Sequence, residues 1–292
     1  MRYDVRLVID YAYGAPVRDA RHILRVRPRG DRGQTVEQAT LVVDPSAREA
    51  VLESDFFGNP VDHLRLATPH QTLSIVLDAR VTVDRRFSDL AATPSCNDVA
   101  LAAAGSRDTG PVGPGHGLGA SRLVSPSERI GRYAWDVTGR ETSAGVACLK
   151  LAQAIRSDFI YMSGSTSVRT RPDDAFEARR GVCQDFAHVM IAGLRSLGLP
   201  AAYVSGFLRT DPPPGQPRIL GVDAMHAWVD VWLGPEIGWA GFDPTNGCAV
   251  GDGHIVVAVG RDYADVAPID GVLLTSGAQS ARHFVDVIPL EP

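Results

Sequence analysis

The sequence predicts an α+β protein, with an antiparallel β-sandwich domain first and an α+β domain second. Three observations carry that prediction. Apolar and polar residues alternate over much of the first 90 positions. A stretch rich in Gly, Ser and Pro interrupts the chain at 104–121. Helical periodicity, followed by further strand signals, begins only beyond it. A chain of 292 residues is long enough for two domains of common size.

In the N-terminal part, Tyr3, Val5, Leu7 and Ile9 alternate with polar neighbours, which is the pattern of a half-buried strand. Ala20–Arg27, Gln34–Val43, His63–Ala67 and Thr72–Val83 read as further strands with turn residues between them. Residues 1–92 are therefore expected to form the β domain and 93–125 a linker, in which His116 is a solvated loop residue. Residues 126–292 form the second domain. Ser143–Tyr161 places Val146, Leu149, Leu151, Ile155, Phe159 and Ile160 on roughly one helical face. Arg179–Leu197 is a second helix, closed by Gly198 with Pro200 behind it. Strands follow at Ala201–Leu208, Gly221–Leu233, Gly238–Phe242, Ile255–Val259 and His283–Ile288, with a Pro-rich loop at Asp211–Pro217.

Hydrophobic residues make up 45% of the chain and charged residues 22%, the balance of a folded soluble protein. The net charge of −5 disfavours a nucleic-acid partner, since tracking phosphates needs a basic excess. No apolar run approaches a membrane span, and Asp4, Arg6 and Asp10 interrupt any leader-like start, so a cytoplasmic protein is expected. Cys96, Cys148, Cys183 and Cys248 are widely spaced and form no C-x-x-C pair, which argues against a zinc site or a disulfide framework.

Chemistry concentrates in Gly181-Val182-Cys183-Gln184-Asp185. Cys183 falls at the start of a helix, where the macrodipole and unpaired N–H groups favour a thiolate and can receive an oxyanion. A thiol nucleophile needs a base, and the base needs an orienting partner. In Asp223-Ala224-Met225-His226-Ala227-Trp228, strand alternation points His226, Trp228 and Asp230 one way and Ala227, Val229 and Val231 the other. Asp243 ends the next strand, so two adjacent strands can set it beside His226. The competing reading makes Cys183 a buried apolar residue, His226 a satisfied strand residue and Asp243 a turn residue. Asp185 is read as capping the first helical turn or pairing with Arg180, and His188 as structural. Asp223 and Asn246 lie near the triad in sequence and are not assigned a catalytic role.

The segments GVCQDFAH, DAMHAWVDVW and GWAGFDPTNG together resemble the bacterial transglutaminase-like cysteine protease family. Tyr13, His22, Arg25, Arg29, Gln34 and Phe57-Gly58-Asn59 resemble that family's N-terminal β domain, and Gly260-Arg261-Asp262-Tyr263 its tail segment. The resemblance implies a papain-like or transglutaminase-core second domain. It implies that Cys183 is the nucleophile, His226 the general base and acid, and Asp243 the orienting carboxylate. Met225 stands where many relatives carry Ser, and Thr93-Pro94-Ser95 lacks an expected Trp. Tyr161, Trp228 and Trp239 are the candidate substrate contacts, with core packing the alternative for each. The expected activity is acyl transfer from a peptide or other amide through a thioester, chiefly hydrolysis, with no metal or organic cofactor. An amine-acceptor transglutaminase and a non-catalytic peptide-binding or assembly module are the alternatives, and a homo-oligomer stays open.

Overall fold

The computed structural model describes residues 1–85, 89–139, 141–210 and 224–290. The Pro-rich loop at 211–217, the predicted strand start at Gly221 and Asp223 lie outside the described residues.

Six strands open the chain: β1 (Arg2–Val17), β2 (Ala20–Leu24), β3 (Gln34–Asp44), β4 (Glu49–Ser54), β5 (Pro60–Leu66) and β6 (His70–Val83). They divide between two four-stranded antiparallel sheets. The alternation predicts the burial: Tyr3, Val5, Leu7 and Ile9 of β1 are buried and share one core with Leu24, Leu64 and Leu66 from the facing sheet. The sandwich is thus built from inward-facing residues of both layers.

Three helices follow: α1 (Cys96–Gly105), α2 (Glu128–Thr138) and α3 (Ala144–Asp158). The expected linker is therefore corrected over its first part, because 96–105 is helical. Ser95 caps that helix by accepting from the Asp98 N–H, and Val99 and Ala103 are buried. Part of the remaining segment is packed as well, with Pro114, Gly117 and Val124 buried. His116 is half-buried and sits edge-on to Phe56 at 5.0 Å between ring centres, and Arg195 donates to the Gly119 carbonyl at 3.1 Å.

The remaining elements are β7 (Ile160–Tyr161), α4 (Pro172–Ala178), β8 (Arg180–Gly181), α5 (Cys183–Ser196), β9 (Ala201–Leu208), β10 (Ala224–Trp232), β11 (Trp239–Asp243), β12 (Cys248–Ala249), β13 (His254–Gly260), α6 (Tyr263–Val266), β14 (Ile269–Leu273) and β15 (Gln279–Leu290). The five-stranded sheet of the second domain runs β12-β11-β10-β9-β13, antiparallel throughout. One face joins Ala227, Val229 and Val231 to the apolar residues of α5 in the large core. The other gathers Ala202, Val204, Trp228, Val250 and Val256 into a separate cluster.

The expectation that the second domain runs to 292 is corrected. β14 pairs with β2, and β15 pairs with β1 from Arg2↔Leu290 to Tyr13↔Gln279, so both C-terminal strands complete the N-terminal sheets. The physical reason lies in β1: a strand of 16 residues leaves a long edge of unpaired backbone unless another strand covers it.

The two domains are fastened along the β13 edge. Gln34 donates from Nε2 to the Val256 carbonyl at 2.8 Å and accepts the Val256 N–H on Oε1 at 2.8 Å. Asn59 does the same for Val259, both bonds being 2.8 Å. Two side-chain amides therefore stand in for a neighbouring strand. Leucine at Gln34 leaves the buried Val256 N–H without an acceptor, while the Val256 carbonyl keeps the Arg29 N–H at 3.0 Å, and we expect a loss of about 1–3 kcal/mol, seen as a melting point lower by several degrees in calorimetry. An unchanged melting point would refute the clamp.

Candidate active site

The residues before α5 are set by short parallel pairing of β7 with β8, which places Tyr161 opposite Gly181. Arg179 turns the chain out of α4 in the left-handed region, at φ 49°. Cys183 is the first residue of α5 and is partly exposed. Asp185 settles into the capping role: its Oδ2 accepts the Val182 N–H at 2.8 Å and the Thr166 hydroxyl at 2.7 Å. A side chain at Gly181 would meet that carboxylate at 2.6 Å, so glycine is what lets Asp185 reach back. The N–H groups at the head of a helix have no intrahelical acceptor, which leaves those of Cys183 and Gln184 available to an incoming oxyanion.

His226 lies on β10 opposite Gly206 of β9. Its Nε2 sits 2.8 Å from Asp243 Oδ2, and the Cys183 thiol lies close enough to act on its ring. All three predicted triad members are thus brought together. Burial pulls the imidazole down, but the hydrogen bonds and charges of Asp243 and Cys183 outweigh it and raise His226 to about 10. Asp243 is fully buried. Burial alone would raise its carboxyl, yet its hydrogen bonds from His226, His254 and Asn246 and the His226 charge hold it well below the usual carboxylate range.

Matches to known proteins follow the same division of the chain. Residues 131–244 match the family model of the transglutaminase-like superfamily, and residues 3–82 that of the bacterial transglutaminase-like N-terminal region. An uncharacterized protein of Mycobacterium tuberculosis is 36% identical, with the alignment covering 99% of this chain and 93% of that one. The chain belongs to the transglutaminase-like superfamily. A crystal structure of a candidate cysteine protease from Cytophaga hutchinsonii shares the fold, with a TM-score of 0.78 and 24% identity over 100% of this chain and 91% of that one. A protein-glutamine gamma-glutamyltransferase of Pseudomonas aeruginosa is 38% identical over 74 residues, covering 25% of this chain and 11% of that enzyme. Membership of this superfamily supports cysteine-dependent acyl transfer as the general chemistry.

Within this transglutaminase-like site, sequence reasoning missed His254. Its Nε2 lies 3.1 Å from the same Asp243 Oδ2, while its Nδ1 accepts the Gly251 N–H at 3.3 Å, which assigns the donor proton to Nε2. Asn246 donates to Oδ2 at 2.6 Å, and the backbone N–H groups of Thr245 and Asn246 donate to Oδ1 at 2.8 and 3.1 Å. Five donors therefore hold one buried carboxylate. The sole signal in the sequence was a histidine opening a β-branched run, and nothing there says that β13 ends beside Asp243. His226, Asp243 and His254 also place three metal-ligand atoms within 4.8 Å of one another. Each of those atoms is engaged in a hydrogen bond inside the trio, and we read the group as a hydrogen-bonded relay.

Trp228 and Trp239, two of the candidate substrate contacts, line the space between the domains. Trp228 is fully buried, with its ring edge-on to His254 at 5.2 Å and 6.2 Å from His226. It packs against the two imidazoles. A side chain at Gly206 would strike that indole at 2.4 Å, so glycine opposite His226 is what admits it. Trp239 stands at the end of β11 away from Asp243, and its Nε1 donates to the Val112 carbonyl at 2.8 Å. It lines a cavity of about 420 Å³ between the domains, together with Arg32, Asp230 and Trp228. Strand alternation gave Trp228 its face, but not the body that covers that face. Tyr161 is 53% exposed, packs edge-on to Phe186 at 6.2 Å, and lies within electrostatic reach of Cys183.

The other cysteines are poor nucleophiles. Burial pushes the Cys96 and Cys148 thiols up, and burial with the Asp243 charge raises Cys248 to about 11.

Proposed function

We propose that the protein is a cysteine hydrolase acting on a peptide or other amide through a Cys183 thioester. One observation carries this reading: His226 bonds a buried, five-fold-donated carboxylate and lies beside the thiol at a helix N-terminus. In acylation, the Cys183 thiol proton passes to His226, Sγ bonds the carbonyl carbon, N–H groups at the helix head take the oxyanion, and the C–N bond breaks as His226 gives that proton to the leaving amine. In deacylation, His226 takes a proton from water, the new C–O bond forms, and the C–S bond breaks to release the acid as His226 returns the proton to Sγ.

Water is favoured over an amine by charge. Segment 160–170 beside Cys183 contains no carboxylate, and Arg169, Arg171 and Arg180 around it are exposed and form no ion pair among the described residues. A protonated amine is repelled there, and no described group in that segment would hold it. The test is the partition of product: peptide substrates turned over in the presence of methylamine should give free acid almost exclusively. Methylamide as the main product would instead make the enzyme a transglutaminase.

A further inference from the structure

Four of the sixteen exposed large apolar residues among those described fall within nine positions: Ile160 at 63%, Tyr161 at 53%, Met162 at 43% and Val168 at 53% exposure. Scattered apolar residues on a surface need no explanation, but a contiguous group beside a reactive centre does. Residues 160–168 read Ile-Tyr-Met-Ser-Gly-Ser-Thr-Ser-Val, with no charged side chain, in a chain that is 22% charged.

This segment is fixed to the first turn of α5 and to the residues just before it. The Ile160 N–H donates to the Arg179 carbonyl at 2.9 Å and the Met162 N–H to the Gly181 carbonyl at 2.8 Å. Gln184, next to Cys183, donates from Nε2 to the Val168 carbonyl at 3.2 Å, and Thr166 donates to Asp185 at 2.7 Å. The apolar side chains are thereby held around the first turn of α5, pre-organised for a ligand. Their border is basic, through Arg169, Arg171 and Arg180.

We infer that residues 160–168 form the subsite that selects the acyl donor, and that it takes a peptide with large apolar side chains next to the reacting carbonyl and a carboxylate beyond them. This rests on the acyl-transfer reading above. Burying an apolar side chain against Ile160, Met162 and Val168 removes exposed apolar area from both partners, and the arginines supply the attraction for the outlying acid.

The test uses three peptidyl acyloxymethyl ketones, acetyl-Glu-Leu-Leu, acetyl-Glu-Ser-Ser and acetyl-Lys-Leu-Leu, with the second-order rate of Cys183 labelling read by peptide mass spectrometry. The Glu-Leu-Leu probe should react about tenfold or more faster than Glu-Ser-Ser, and severalfold faster than Lys-Leu-Leu. In the double variant Ile160→Ser, Met162→Ser, the Leu-to-Ser ratio should fall to about one. Both side chains are exposed, so the fold is not at risk. Equal rates for the Leu and Ser probes on the unaltered protein, or a ratio that survives the double variant, would overturn the subsite. If Cys183 reacted with none of the probes, the acyl-transfer reading would fall with it.

Discussion

Alanine at Cys183 abolishes turnover, by about four orders of magnitude or more, while the protein still folds. The size follows from the chemistry: without Sγ no thioester forms, and His226 and Asp243 have no nucleophile to serve. The fold survives because Cys183 is a partly exposed first-turn residue whose backbone, not its side chain, joins the helix. Cys248→Ala is the informative control. It lies directly opposite Asp243 in the β11–β12 ladder, yet its thiol is raised to about 11 and plays no part in the proposed steps. Full activity in Cys183→Ala, or its loss only in Cys248→Ala, would reassign the nucleophile.

The second large effect is on stability. Asp243→Ala leaves His226, His254, Asn246 and two backbone N–H groups without their shared acceptor in a buried site, and should cost about 3–5 kcal/mol in denaturant unfolding. The pH dependence has a definite sign. Asp243 is depressed in the folded state, so its contribution is present above the ordinary carboxylate range and is lost as pH falls through and below that range. His226 is raised to about 10, so its contribution is complete below about 6.5 and is lost as pH climbs toward 10. Stability from the pair is therefore greatest between the two ranges. In Asp243→Ala both limbs should flatten, because His226 loses the anion that raises it. A variant whose stability followed pH as steeply as the parent would show that the pair is not the source.

Much of this was legible in the residues. Alternation in β1 placed its buried face, and the order of Cys183, His226 and Asp243 on a helix head and two neighbouring strands allowed a triad, which the family resemblance then assigned. The parts that were not legible share a cause. His254, β14 and β15 are placed by pairings between distant segments, which a local pattern does not encode. Helix α1 was hidden because its core contacts are small side chains, Val99 and Ala103, which make a weak stripe beside glycine- and proline-rich sequence. Trp228 and Trp239 flank His226 and Asp243 in sequence, but the inter-domain surface takes them, as the clamps from Gln34 and Asn59 bring the sandwich against that side of the sheet.

The central claim is that an acyl group rests on Cys183 during the reaction. The most direct measurement is acid-quenched mass spectrometry after brief exposure to the p-nitrophenyl ester of an acetylated Leu-Leu peptide, with the adduct located among the four cysteines. The account predicts a hydroxylamine-sensitive acyl adduct on the Cys183 peptide, formed far more slowly in His226→Ala. An adduct confined to Cys96, Cys148 or Cys248, or turnover with no acylated Cys183 at any quench time, would contradict it.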